Sequence, residues 1–405
     1  MEEEHYDIET LPNGARIVTE AVPAVRSVSL GLWVATGSRH EKAGESGAAH
    51  FIEHMVFKGT GRRSARELAQ EMDAIGGQVN AYTTKECTCF YARCLDEHLP
   101  RALDLLCDMV FDSKFDQADV DTERGVILEE IGMYQDNPED LCSERLMAAV
   151  YKGSPLARPI LGRKATLDKM TGEWLKHYQR THYRPGSIVC AMAGSFTPLM
   201  VDALKARLLP LEAGETPTAV PAVYTPAITL KKKATEQNHL TLAFPGLPYG
   251  DEDRFVLQLL STMLGSGMSS RLWQEVREKR GLCYSIYTAL SRDTEREALE
   301  TILRVVADFA EHGPAPEELE RARELSKANV LMGLESTQSR MSALGRGLLL
   351  QDRTLTTREV IDAYNAVTAE DVRALAQRLF QLSQASLSVV GRPAAEEEYR
   401  ALLGQ

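Results

Sequence analysis

Glu212 to Pro226 reads E-A-G-E-T-P-T-A-V-P-A-V-Y-T-P, the Pro-, Thr- and Ala-rich composition of a linker. The same order of elements can be read on either side of it. Upstream, a helix over Thr171–Arg180 precedes an apolar strand, Ile188–Ala193, that stops at Gly194. Downstream, a helix over Thr368–Phe380 precedes a strand over Ala385–Val390 that stops at Gly391. The stretch K-M-T-G-E-W-L-K-H-Y near 170 aligns without gaps with N-A-V-T-A-E-D-V-R-A-L near 368, and that register lays Gly194 on Gly391. The chain is therefore read as a duplication in the α+β class. It has two homologous domains, each a mainly antiparallel sheet covered on one side by helices, at 1–211 and 227–405 with the linker 212–226 between them.

Within the first half, Leu11-Pro12-Asn13-Gly14 is a turn signal, and Val28–Val34 alternates as a sheet strand does. Helices are expected around His50–Phe57, over Ser64–Ile75 with Ser64 as N-cap, and over Leu99–Phe111 and Asp119–Asp136; Gln78–Cys94 reads as two strands. In the second half, His239–Phe244 and Leu282–Thr288 read as strands, and Phe255–Leu264 and Ser269–Lys279 as helices.

Bulk properties narrow the function. The 405 residues carry a net charge of -12, which argues against a general nucleic-acid binder. No apolar run approaches the roughly 18 residues that span a bilayer. The opening M-E-E-E-H-Y-D has neither the basic nor the apolar region of a signal peptide, so a cytoplasmic protein is expected. Seven sparse cysteines, an odd number, do not make a disulfide framework and are expected to be buried thiols.

Chemistry enters with His50-Phe51-Ile52-Glu53-His54, the pattern H-x-x-E-H. On a helix, His50 and His54 project from one face one turn apart and can both reach one zinc ion at about 2.0–2.1 Å. Glu53, beside His54, can point at the open coordination position and take a proton from water there. A catalytic zinc needs a third protein ligand. The stretch from Glu123 to Glu130 (E-R-G-V-I-L-E-E) supplies carboxylates on a helix, with Glu123 and Glu130 two turns apart on one face. Val126, Ile127 and Ile131 suggest that this face is partly buried.

These residues resemble the pitrilysin, insulin-degrading enzyme and mitochondrial processing peptidase family of zinc peptidases, the inverzincins. The resemblance implies that Glu130 is the third ligand, that Glu123 is an accessory carboxylate of the catalytic site, and that Glu129 is not a ligand. G-S-R-H-E at Gly37–Glu41 resembles the family's stretch before the motif. G-G-Q-V-N-A-Y-T at Gly76–Thr83 resembles its substrate-binding edge strand, with Asn80 and Ala81 central. Arg277 and Tyr284, seven apart in R-E-K-R-G-L-C-Y, resemble its substrate-contacting arginine–tyrosine pair.

The aligned stretch of the second half, F-V-L-Q-L at Phe255–Leu259, holds no ligand, so one zinc per chain is expected. The resemblance implies a zinc metalloendopeptidase acting on unfolded peptides inside a chamber. The length matches short members that work as homodimers, in which each chain forms half of a clamshell. The alternatives are a presequence-type processing peptidase and a non-catalytic structural subunit of the same family. The sequence L-G-S-G-M-S-S-R-L (Leu264–Leu272) is short where a mitochondrial non-catalytic subunit has a long glycine-rich loop, which favours a catalytic chain. Neither nucleic acid nor membrane is an expected partner.

Overall fold

The computed structural model describes residues 6–216, 218–280 and 288–405. These group into two compact units, each assembled from three stretches of chain. The first draws on Met1–Ile131, Ser154–Pro221 and Met332–Thr356, and the second on Gly132–Gly153, Ala222–Leu331 and Thr357–Gln405.

The first unit is built on a six-stranded sheet. Its strands are β1 (Tyr6–Thr10), β2 (Arg16–Ala21), β3 (Ser27–Val34), β4 (Gln78–Thr83), β5 (Thr88–Leu95) and β6 (Ile188–Gly194), in the order β1-β2-β6-β3-β5-β4. The β2–β6 pair is parallel and the others are antiparallel. β4 is left as an edge strand.

One face of this sheet buries Leu30, Leu32 and Phe90 against Phe51, Ile52 and Met55 and against the helix Leu99–Phe111. The sequence leads one to expect helices on one side of the sheet, yet β3 is buried on both sides. The second cover is the helix Thr337–Gln351, which lays Met341, Leu344 and Leu348 on Val18, Trp33, Val189 and Ala191. The approach is close because glycine sits where the Trp33 ring lies. A Cβ on Gly345 would stand 2.5 Å from that ring, and one on Gly31 would stand 2.4 Å from it.

The second unit holds β7 (Ile228–Lys232), β8 (Asn238–Ala243), β9 (Thr288–Leu290) and β10 (Ser386–Gly391), ordered β7-β10-β8-β9. Its centre repeats the first sheet. β10 pairs with β7 in parallel and with β8 antiparallel, as β6 does with β2 and β3. The preceding helices also correspond. Thr171 caps Gly172–His182 and Thr368 caps Ala369–Leu379, each with its hydroxyl accepting an N–H three residues on. Gly194 and Gly391 then end their strands at φ +125° and +142°, a region that favours glycine.

The helix Pro138–Val150 packs on β10, β8 and β7 and belongs to the second unit, whereas Thr337–Gln351 belongs to the first. Each half of the chain thus lends a helix to the other half's sheet. The compact units therefore do not follow the linear segments 1–211 and 227–405. Among the described residues no helix is long and apolar enough to cross a membrane, and six cysteines are buried free thiols.

Gly345→Leu should force the Thr337–Gln351 helix off Trp33 and cost about 1–3 kcal/mol or more, as overpacked cores do. Urea denaturation should show a lowered midpoint, and an unchanged midpoint would contradict the packing described.

Candidate metal centre

The motif helix, Ala48–Met55, is held at its start by a buried carboxylate. Glu41 Oε2 accepts the Gly47 N–H at 2.9 Å, and Oε1 accepts the Ala49 N–H at 3.0 Å. These amides are among those a helix N-terminus leaves without internal partners; burial pushes the pKa of the Glu41 carboxyl up to about 8, against the pull of these two N–H groups. Phe51, Ile52 and Met55 sink into the core, which fixes the helix in rotation.

The fixed rotation brings three of the sequence-derived residues together. Glu130, on the helix Gln117–Asp136, places Oε2 3.6 Å from His50 Nε2 and 3.7 Å from His54 Nε2. The donor atoms of His50, His54 and Glu130 lie within 4.8 Å of one another. Donors bound at about 2.0–2.2 Å to one tetrahedral ion stand roughly 3.3–3.6 Å apart. The trio therefore fits a zinc-sized cation with little movement. Glu129, the adjacent carboxylate, is exposed.

Glu123 plays a different part. Its Oε2 lies 3.0 Å from His54 Nδ1, and its Oε1 lies 2.5 Å from Lys58 Nζ. A carboxylate can only accept, so Nδ1 carries the hydrogen and the Nε2 lone pair is left for a metal. Glu123 itself is buried. The apolar residues around it behave less uniformly than expected, because Ile127 is buried but Val126 is exposed. Neither Lys58 nor this division of roles was read from the sequence. The available signal was nearness in sequence, since Lys58 follows His54 by four residues, just past the end of the motif helix.

The electrostatics suit a cation. Burial, reinforced by the neighbouring His54, drives the His50 pKa down to about 3, so its imidazole is neutral and able to ligate. His50 Nδ1 is buried without a hydrogen-bond partner among the described residues. Burial raises the pKa of Glu130, against the opposing pull of His54. Burial also raises that of Glu53, and Thr83 and His54 offset part of the effect while Glu130 adds to it. Glu53 is not among the converging donors; its Oε2 accepts the Thr83 hydroxyl at 2.5 Å.

Asn80 and Ala81 lie on β4, and Asn80 Oδ1 accepts the Ala81 N–H at 2.8 Å. Arg277 belongs to the second unit, in the π-helical turn Trp273–Glu278. There its guanidinium stacks 4.2 Å from the Trp273 ring and Nη1 reaches Glu278 at 2.7 Å. Tyr284 lies outside the described residues, as does most of the strand expected at Leu282–Thr288.

Comparison with known proteins agrees with this fold. The insulinase (peptidase family M16) description matches residues 16–164, and the M16 inactive-domain description matches residues 169–326. The uncharacterized zinc protease YmxG of Bacillus subtilis is 42% identical over 388 residues, covering 92% of this chain and 95% of that protein. A Streptomyces coelicolor protein, also named an uncharacterized zinc protease, is 38% identical and covers 94% of this chain and 88% of that protein. In fold, the chain matches a crystal structure titled peptidase M16 inactive domain from Pseudomonas fluorescens, with TM-score 0.87 and 22% identity over 96% of this chain and 99% of that one. A Helicobacter pylori protease structure matches at TM-score 0.86 and 19% identity, covering 96% of this chain and 100% of that one. The chain belongs to the insulinase family of zinc peptidases, as a short bacterial-type member.

The geometry separates the carboxylates experimentally. Glu130→Gln should weaken zinc binding most. Glu123→Gln should weaken it about 10- to 100-fold, as loss of a carboxylate that orients a ligand does. Glu129→Gln should stay within a few-fold of wild type. Competition titration with a chelating dye measures all three, and a larger loss at Glu129 than at Glu130 would refute the donor set.

Proposed function

We propose that the chain is a zinc metalloendopeptidase acting on unfolded peptides, with His50, His54 and Glu130 as metal ligands and Glu53 as general base. The observation that carries this reading is the convergence of the three donors beside a half-buried carboxylate that is not one of them. Zinc, when bound, supplies Lewis acidity to the scissile carbonyl and to water. Glu53 then accepts the proton of the attacking water and returns it to the leaving amine. Glu123 touches His54 rather than any reacting atom, so its role is to hold that imidazole, with Lys58 balancing the buried charge. A peptide would add as a strand to the free edge of β4 at Asn80–Ala81, taking backbone hydrogen bonds that tolerate many sequences. Arg277 and Tyr284 are assigned to substrate contact by resemblance. The complete donor set disfavours a purely structural subunit.

Glu53→Gln tests the base. The variant should bind zinc as wild type does and lose nearly all turnover of a quenched peptide, whereas His50→Ala and His54→Ala should lose zinc as well. Substantial activity in Glu53→Gln would refute the assignment.

We also propose that the active form is a homodimer whose sites are completed in trans by Arg277 and Tyr284. The support is the match to short members of the family and the lack of the metal motif in the second half. Glu53→Gln and Tyr284→Phe, each nearly inactive alone, should recover to about a quarter of wild-type activity after subunit exchange, since about half the dimers would carry one intact site. No recovery, or a fully active monomer by light scattering, would reject the arrangement.

A further inference from the structure

The carboxylate assigned as general base is gripped from the sheet. Thr83 closes β4, and its Oγ1 donates to Glu53 Oε2 at 2.5 Å. The surrounding hydroxyls are consistent with that direction. Thr88 Oγ1, 3.5 Å from Thr83 Oγ1, gives its single proton to the Thr36 carbonyl at 2.8 Å. Thr83 is therefore free to donate to the carboxylate. Thr88 and Thr36 are fully buried, so the anchor stands on a packed part of the sheet. The side chain and backbone of Thr83 both act on the Glu53 carboxylate, so its plane is set by the strand as well as by the motif helix.

The same strand is one of the sheet's two edges, without a second neighbour among the described residues. Thr84 N–H bonds the Cys87 carbonyl across the β4–β5 turn. Backbone groups alternate along an antiparallel ladder, so Ala81 and Thr83 direct theirs away from β5. The outward Ala81 N–H is occupied by Asn80 Oδ1 at 2.8 Å, which caps an edge donor that a docking strand would otherwise claim. A peptide added there would exchange that cap for its own carbonyl and lie along the residue whose side chain holds Glu53.

We propose that Thr83 is a positioning residue that orients the Glu53 carboxylate and so couples peptide docking on β4 to proton transfer. This rests on Glu53 being the general base. Misplacing a reacting group by about 1 Å can cost on the order of 100-fold in rate. Threonine and valine have nearly the same shape, so removing the hydroxyl leaves the packing in place.

The experiment compares wild type, Thr83→Val, Thr83→Ser and Glu53→Gln for zinc content, kcat and KM on one quenched peptide. It also compares the Glu53 side chain in crystals of the metal-free proteins. Thr83→Val should keep its zinc and hold KM within a few-fold while kcat falls about 10- to 100-fold. Thr83→Ser should recover most of that loss. In the crystals Glu53 should keep one orientation in wild type and Thr83→Ser and lose it in Thr83→Val. A Thr83→Val enzyme with unchanged kcat, beside an inactive Glu53→Gln, would overturn the role of Thr83 and leave the base assignment standing. Loss of zinc or a change in KM alone would also overturn it, because either means that the hydroxyl serves folding or binding. An active Glu53→Gln would instead fail the underlying reading. The Glu53 orientation in the metal-free crystals decides the positional claim without reference to activity.

Discussion

The buried contact of Glu123 with His54 and Lys58 joins two helices that are distant in sequence. The two helices already share an apolar core, with Val120 and Ile127 of one and Phe51, Ile52 and Met55 of the other, and this polar contact ties them together at the level of the donors. A charge as buried as Glu123 is costly unless it is paired and hydrogen-bonded, and here both oxygens are engaged. The pairing also settles the His54 tautomer and so decides which nitrogen faces Glu130. The motif supplies donors, and this contact makes their separation suitable for one ion.

A second constraint lies beneath the first. Glu41 ties the start of the motif helix, and Phe51, Ile52 and Met55 fix its rotation. Thr83 reaches the base from the sheet. The proposed base is thus aligned by an edge strand, while the proposed ligands are aligned by helix packing. Such division suits a site in which the metal must stay put while a peptide comes and goes along the strand.

Much of this was legible in the sequence because it is written in short-range periods. The H-x-x-E-H spacing places two imidazoles on one helical face, and the Thr171 and Thr368 caps mark equivalent helices that lead to Gly194 and Gly391. The seven-residue step from Glu123 to Glu130 put both carboxylates on the side facing the histidines. What was not legible depends on distant partners. Thr337–Gln351 covers β3 although some 300 residues separate them, and nothing local in S-V-S-L-G-L-W-V announces a second cover. The exchange of Pro138–Val150 for that helix therefore escaped a linear reading of domain boundaries. Val126 misled for the opposite reason, as an apolar residue one helical step away from the face that is buried. The grip of Thr83 on Glu53 was hidden because strand alternation shows which face a side chain takes but not what stands opposite.

The central claim is that one metal ion sits among His50, His54 and Glu130. The most direct measurement is an anomalous difference map of zinc-loaded crystals, collected on either side of the zinc absorption edge. The account predicts a single strong peak per chain, about 2.0–2.2 Å from Nε2 of His50, Nε2 of His54 and a carboxylate oxygen of Glu130, with Glu53 uncoordinated and Glu123 still on His54 Nδ1. A peak coordinated by Glu53, Glu123 or Glu129 in place of Glu130, or no peak at this site in zinc-saturated protein, would contradict it.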